Sequence, residues 1–324
     1  MNAPAFIGQE AAWREWMAAV ASERMHHAWM LAGARGLGKG GFARAAAAEL
    51  IREGGDTPDP DSHPDIHVLS HLPANEDEAK KKADGKLYQT KRNITVDQVR
   101  AMIRRLATKP TMGPRRAIVI DPADDLEKGA VNALLKALEE PPSGTFFLLV
   151  THQPGRLLPT VRSRCRVLRF APLSDKDLGN VLRRDFPQAD AALREAAIFA
   201  ASGSPGIALA FAEHELTTVH ALMRRILEQG DDDFRLRGAL VDAMGARPSR
   251  DRQLAVLELA RTILGTGLAD LASARHHGVI EAHVALTRLS AQAPTYNFDS
   301  GLLILEIGGL LASAAMPREA SRQP

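Results

Sequence analysis

The chain reads as an α/β protein: a doubly wound parallel sheet carrying a P-loop, then a small helical domain, then an all-helical C-terminal domain. Three observations predict this. Residues 33–41, Gly33-Ala34-Arg35-Gly36-Leu37-Gly38-Lys39-Gly40-Gly41, lie between a short apolar run, Trp29-Met30-Leu31-Ala32, and an alanine-rich stretch with helical spacing. Over residues 6–170, helical patterns alternate with apolar strand-like runs, the signature of parallel strands joined by helices. From Ala171 onward the strand-like runs cease and only helical periods remain. The implied domains are 1–171, 172–213 and 214–324.

Residues 6–25 form the first helical pattern, with Trp13, Trp16, Met17 and Val20 on one face. His26-His27-Ala28 leads into the first core strand. This His pair reads as loop, since no third ligand lies near it in sequence. The loop that follows matches G-x-x-x-x-G-K-[ST] at Gly33, Gly38 and Lys39 and fails at the last position, where Gly40 replaces the hydroxyl residue. Glycines at 33, 36, 38 and 40 let backbone N–H groups turn inward and cradle phosphates at a helix N-terminus. Lys39 would reach the outer phosphates, and the missing hydroxyl would have held Mg²⁺. A helix over about 42–52 presents Phe42, Ala45, Ala46 and Leu50.

Residues 53–65 are turn-rich, and Ile66-His67-Val68-Leu69 is a short strand. His63, His67, Asp61 and Asp65 suggest a metal site only superficially, because i, i+4 ligands need a helix; a polar loop beside a strand is the preferred reading. Residues 74–92, with Lys80-Lys81-Lys82, are poor in apolar residues and read as a solvated, mobile insertion. Thr95 caps a helix carrying Val99, Met102, Ile103 and Leu106.

Arg116-Ala117-Ile118-Val119-Ile120-Asp121 is an apolar strand that delivers a carboxylate to its C-terminal end. In an ATPase, Asp121 would help to hold Mg²⁺ and an adjacent Glu would orient the attacking water; here that neighbour is Pro122. A helix over 129–140 carries Val131, Leu134, Leu135 and Leu138 at helical spacing and stops at Pro141-Pro142. Two further strands follow, 146–150 ending at Thr151-His152, and 167–170 after Arg162-Ser163-Arg164-Cys165-Arg166. Beyond them, helical patterns begin at the Ser174/Asp177 cap pair, at 191 and at Pro205. They continue over 216–229, 234–244, 251–268, 279–293 and 299–315, punctuated by Gly230, Gly245 and Pro294.

Bulk composition sets bounds. The 324 residues are 45% hydrophobic and 25% charged with a net charge of +2, so the chain as a whole is not a polycation. One cysteine, Cys165, excludes an internal disulfide and a multi-cysteine zinc site, and reads as a small buried residue. Glu10, Arg14 and Glu15 interrupt the first apolar pattern, so no signal peptide is expected, no run approaches a membrane span, and a cytoplasmic location is the expectation.

These residues, taken in order, resemble the AAA+ clamp-loader family that serves bacterial DNA polymerase III. The resemblance rests on His27-Ala28-Trp29, His63-Pro64-Asp65, the run from Ile94 to Arg100, Asn132-Ala133-Leu134-Leu135-Lys136, Leu138-Glu139-Glu140-Pro141-Pro142 and Ser163-Arg164-Cys165. The last two are the most specific. It covers residues 6–210; beyond them it rests on helix count and Tyr296-Asn297-Phe298-Asp299. It implies a P-loop domain, a helical lid and a C-terminal collar that holds a hetero-oligomeric ring of gamma/tau-type ATPase and delta-type subunits. It further implies contact with the sliding clamp and primed DNA through the complex, and no membrane.

Departures from the family pattern refine the expectation. Gly40, Pro122 and an arginine-free Gly203-Ser204-Pro205-Gly206-Ile207-Ala208 remove three elements that active relatives use. The expected subunit is therefore an accessory of the DNA-directed DNA polymerase holoenzyme that does not hydrolyse ATP itself. ATP or ADP would be held without turnover, with Gly33, Gly36, Gly38, Lys39, Gly40, Asp121 and Thr151 as a degenerate nucleotide site. No zinc is expected, because no cysteine follows the P-loop helix where many relatives have four. Ser163-Arg164-Cys165 is intact, and the resemblance gives Arg164 the role of an arginine finger acting on a neighbour's ATP. Two other readings compete: an independent, weakly active ATPase with Asp124 in place of the missing glutamate, and a DNA-binding module using Lys80–Lys82 with Arg162, Arg164, Arg166 and Arg169.

Overall fold

The computed structural model describes residues 6–22, 24–54, 57–86, 88–266, 273–293 and 298–315. Pro294 and Tyr296-Asn297 lie outside the described residues. The chain divides into two compact units, Met1–Leu173 and Ser174–Pro324.

The first unit is a five-stranded, wholly parallel sheet. Its strands are β1 (Ala28–Ala32), β2 (Ile66–Leu69), β3 (Arg116–Ile120), β4 (Thr145–Thr151) and β5 (Arg166–Arg169), in the order β2-β3-β4-β1-β5. β1 pairs with β4 from Ala28↔Phe147 to Ala32↔Thr151, and β3 with β4 from Arg116↔Thr145 to Ile120↔Leu149. Every residue of β1 and β3 is buried, as expected for strands covered on both faces. The connecting helices are α1 (Glu10–Val20), α2 (Lys39–Ile51), α3 (Glu76–Ala83), α4 (Val96–Leu106), α5 (Lys128–Glu139) and the short α6 (Pro159–Arg162). α5 buries Val131, Leu134 and Leu138 on the sheet, beside Ile118, Ile120, Phe147 and Leu149. Across the other face Trp16 meets Trp29 edge-on, and Phe42 sits between Trp13 and Phe170.

The cap expected at Thr95 is a full capping box: Thr95 accepts from the Gln98 N–H, and Gln98 Oε1 accepts from the Thr95 N–H. The far end of α4 is held by a side chain remote in sequence. Arg116, almost wholly buried, donates to the carbonyls of Arg105, Thr108 and Lys109. Asp65, also buried, accepts the N–H groups of Thr111 and Met112 at 2.7 Å each. Its neighbour His63 accepts the Asp65 N–H through Nδ1. This cluster fixes the α4–β3 connection and leaves Asp65 engaged with backbone.

Residues 74–86 and 88–92 are exposed at most positions, as expected of a solvated insertion, but they are not without secondary structure. They contain α3, capped by Asn75, with acids in its first turn and lysines in its last, the favourable arrangement for a helix dipole. Glu78 is buried and accepts the Gln89 N–H at 2.6 Å, closing the excursion onto itself, and Pro73 bridges Thr90. The low apolar content gave no sign of this helix, which its cap and one buried carboxylate hold.

The second unit is helical throughout its described residues: α7 (Asp175–Asp185), α8 (Ala191–Ala201), α9 (Pro205–Glu213), α10 (Thr217–Gln229), α11 (Arg235–Met244), α12 (Arg250–Gly265), α13 (Ser273–Gln292) and α14 (Ser300–Ser313). Ser174, Asp190, Ser204, Ser249 and Asp299 cap α7, α8, α9, α12 and α14. Phe211, Val219, Met223, Leu240, Leu257, Leu286, Ile304 and Ile307 are buried within it. No described helix is long and apolar enough to cross a membrane.

Candidate nucleotide-binding site

β1 ends at Ala32 and the glycine loop turns the chain into α2. Gly36 (φ +81°) and Gly38 (φ +79°) are left-handed, and Gly38 is the N-cap of α2, so both positions need glycine for backbone reasons alone. At Gly33 an added Cβ would lie 2.5 Å from the Phe170 carbonyl oxygen at the end of β5. Lys39 is 2% exposed, and its Nζ donates to the loop's own carbonyls, Gly33 O at 2.7 Å and Ala34 O at 2.5 Å. Burial pulls its ammonium down to about 8, against the carboxylates of Asp124 and Asp121, which favour the charge.

Parallel pairing aligns the C-terminal ends of β1, β3 and β4, and so gathers the glycine loop, Asp121 and Thr151 at one edge. Thr151 is wholly buried and donates its hydroxyl to Asp124 Oδ1 at 2.6 Å. The same carboxylate accepts the His152 N–H at 2.6 Å and the Gln153 N–H at 3.1 Å. Asp124 is thus a clamp on the end of β4, with both oxygens occupied. A general base needs a free oxygen facing water. His152 has its Nδ1 buried without a partner, and its pKa is lowered by burial and by Lys39.

Gly40 faces Asp121 at the closest range in the site. A Cβ there would collide with Asp121 Oδ2 and lie 3.6 Å from Arg44 Nη1. Arg44, one turn further along α2, places Nη1 3.4 Å from both Asp121 Oδ2 and the Gly40 carbonyl, and Nε 3.4 Å from Asp61 Oδ1. These residues do not fit a magnesium ion. The hydroxyl ligand is absent, Asp121 fills the space it would need, and the carboxylate is already paired with a guanidinium. Arg44 went unnoticed in the sequence; its one signal was an i, i+4 relation to Gly40, which puts both on one helix face.

Arg164 lies elsewhere. It follows α6 and precedes β5, so it stands at the N-terminal edge of the sheet, opposite the glycine loop. Its Nη2 pairs with Glu139 Oε1 at 2.6 Å, and its Nη1 donates to Thr160 O. Both side chains of the pair are over a third exposed, so the contact is worth at most about 1 kcal/mol and does not lock the guanidinium. Cys165 beside it is buried, and burial pushes its thiol up to about 12. Three of the other basic residues considered for DNA sit beside acids or rings: Lys81 by Glu78, Lys82 over Tyr88, and Arg166 by Glu15 and over Trp29.

A family profile described as "DNA polymerase III, delta subunit" matches residues 8–174. A "DNA polymerase III subunit delta'" from Pseudomonas aeruginosa is 33% identical over 192 residues, 55% of this chain and 53% of that one. The protein of the same name from Escherichia coli is 41% identical over 120 residues, 37% and 36% of the two chains. That from Bacillus subtilis is 30% identical over 168 residues, 48% and 46%. The chain spans about half or less of the length of these relatives. A solved DNA polymerase III gamma subunit-related protein of Thermotoga maritima aligns with 93% of this chain and 98% of its own at a TM-score of 0.46 and 16% identity, too low to argue from. The profile covers just over half of the 324 residues and encloses the glycine loop, Asp121, Thr151 and Arg164, so the chain belongs to the DNA polymerase III delta-subunit family, as a delta-prime-like member.

Proposed function

We propose that the chain is a non-hydrolysing subunit of the DNA polymerase III clamp loader, working in the cytoplasm in the ATP-dependent placement of a sliding clamp on primed DNA. Its partners would be gamma/tau-type ATPase subunits and a delta-type subunit in a hetero-oligomeric ring. Residues 172–213 would be the lid, and 214–324 the collar that holds the ring. Arg164 would reach the ATP of a neighbouring subunit, where a guanidinium supplied in trans stabilises the charge on the transferring phosphoryl group, an effect of ~10³–10⁵ in rate. ATP or ADP in the chain's own loop would be held without turnover.

One observation carries this reading. Arg164 and the glycine loop stand at opposite edges of the same parallel sheet, about 15 Å apart at ~3.3 Å per residue along five-residue β1. The arginine is out of range of its own loop, half-buried beside Glu139, and would have to leave that pair to meet a neighbour. The isolated chain should show no steady-state ATP turnover. Turnover at ordinary ATPase rates, abolished by Lys39→Ala, would favour the independent-ATPase reading instead. That second reading is weakened by the three donors held on Asp124.

A further inference from the structure

α11 begins on a residue in an unfavourable state. Phe234, its N-cap, has φ +60° and ψ +10°, a left-handed conformation that suits glycine or asparagine and costs a bulky residue. Its side chain is also exposed, at 62%. Folding gains little from either feature, and a residue held so against its own preference points to a function. The loop that presents it is rigid. Asp231, whose side chain is wholly buried, accepts the N–H groups of Leu236 and Arg237 at 2.9 Å each and pairs with Arg237 Nε at 2.8 Å. Arg237 Nη2 donates back to the Asp231 carbonyl, and the guanidinium lies 3.9 Å from the centre of the Phe234 ring. The stem of Arg237 fits against Gly308 of α14, where an added Cβ would lie 2.6 Å from Cγ.

Phe234 is one end of a larger face. Arg237 links it to Gly309, and Leu305 and Leu302, one and two turns earlier on the same side of α14, are exposed as well. The exposed charges carried by 231–237 and 302–309 are Asp232, Asp233 and Glu306 against one cation, Arg235, which pairs with Asp233 at 3.2 Å. The face is apolar at its centre and acidic at its rim. Laid against a second copy of itself it would oppose acid to acid, so it is not self-complementary. It suits a different chain, one with an apolar pocket for the ring and Lys or Arg side chains around that pocket.

We propose that this face is the contact of the C-terminal unit with a gamma/tau-type subunit, that Phe234 is its anchor, and that the partner meets it with an apolar pocket rimmed by cations. The inference rests on the reading of 214–324 as a collar and adds the residues and the partner's chemistry; it does not involve the glycine loop. Because Asp231 and Arg237 hold the loop in place, little freedom is lost when the ring enters a pocket.

The test measures the affinity of the full chain for the gamma/tau-type subunit, and the chain's urea midpoint by helical circular dichroism. Tryptophan emission follows the first unit separately, since all three tryptophans lie there. Phe234→Gly removes the ring and relieves the left-handed backbone. Its dissociation constant should rise at least about tenfold while its midpoint stays level or rises. Glu306→Lys reverses one rim charge, leaves Phe234 in place, and should weaken binding about threefold with a shallower dependence on salt. A midpoint that falls together with the affinity of Phe234→Gly overturns the assignment, because Phe234 would then be serving the fold. A dimer of the chain alone that Phe234→Gly disperses overturns it as well, by naming a second copy as the partner. If wild type itself does not bind, the collar reading falls and this inference with it; if wild type and Phe234→Gly bind equally, only this inference falls.

Discussion

Replacing Asp124 with alanine should destabilise the first unit by about 3 kcal/mol. The carboxylate accepts from the Thr151 hydroxyl at 2.6 Å, the His152 N–H at 2.6 Å and the Gln153 N–H at 3.1 Å. Thr151 is wholly buried, His152 half-buried and Gln153 exposed, so the Thr151 hydroxyl loses its acceptor away from water and the His152 N–H loses its own in part-buried surroundings. Each such loss costs about 1–3 kcal/mol. Lys39 also loses the stronger of the two carboxylates that favour its charge, an effect of the same sign. All three tryptophans are in this unit, so their emission in urea follows its unfolding without the complication of a second cooperative unit. With a slope of about 2 kcal/mol per molar urea, the midpoint should fall by about 1.5 M. Asp124→Asn keeps one acceptor and should lose roughly half as much. A midpoint for Asp124→Ala within about 0.3 M of wild type would refute the clamp, and with it the argument that Asp124 is not free for catalysis.

Three further outcomes follow from the same geometry. Lys39 titrates near 8 in the folded chain and near 10.5 unfolded, so between these values the unfolded chain binds more protons and stability rises with pH. The full gain is about 3 kcal/mol, and a pH series of urea midpoints should show it in wild type and not in Lys39→Met. Arg116→Ala strips three carbonyls and the buried Asp65 of their cation and should cost about 3–5 kcal/mol by the same assay; a loss under about 1 kcal/mol would contradict the role given to it. Cys165, buried and with a thiol pushed up to about 12, should resist alkylation at neutral pH until urea unfolds the first unit; prompt modification of the native chain would contradict its placement.

Much of the fold was legible because its signals are local. The unbroken apolar runs of β3 and β4, the glycine pattern before α2 and the Thr95 cap each lie within about a dozen residues, and each fell where expected to within a few positions. α2 starts at Lys39 and not near Phe42, because left-handed Gly38 caps it; the helix-weak Gly40-Gly41 pair disguised its first turn. What escaped depends on side chains distant in sequence. Nothing local says that Arg116 will cap α4, that Glu78 will close residues 74–92, or that Asp124 will hold the end of β4 27 residues away. In the site, the gap left at Gly40 was visible as a missing hydroxyl, but its filling by Asp121 and Arg44 needed the packing of α2 against β3. The Glu139 partner of Arg164 likewise lies in a motif whose acids gave no hint of where they point.

The central claim is that the chemistry served by this chain happens on a neighbour, through Arg164, and not in its own loop. The most direct measurement is the clamp- and DNA-stimulated ATPase rate of a ring assembled from gamma/tau-type and delta-type subunits with wild-type chain, Arg164→Ala, Arg164→Lys or Lys39→Ala. The account predicts that Arg164→Ala lowers the rate severalfold, that Arg164→Lys fails to restore it because an ammonium lacks the planar fork, and that Lys39→Ala leaves it at the wild-type level. Equal rates for wild type and Arg164→Ala, or a collapse with Lys39→Ala alone, would contradict it.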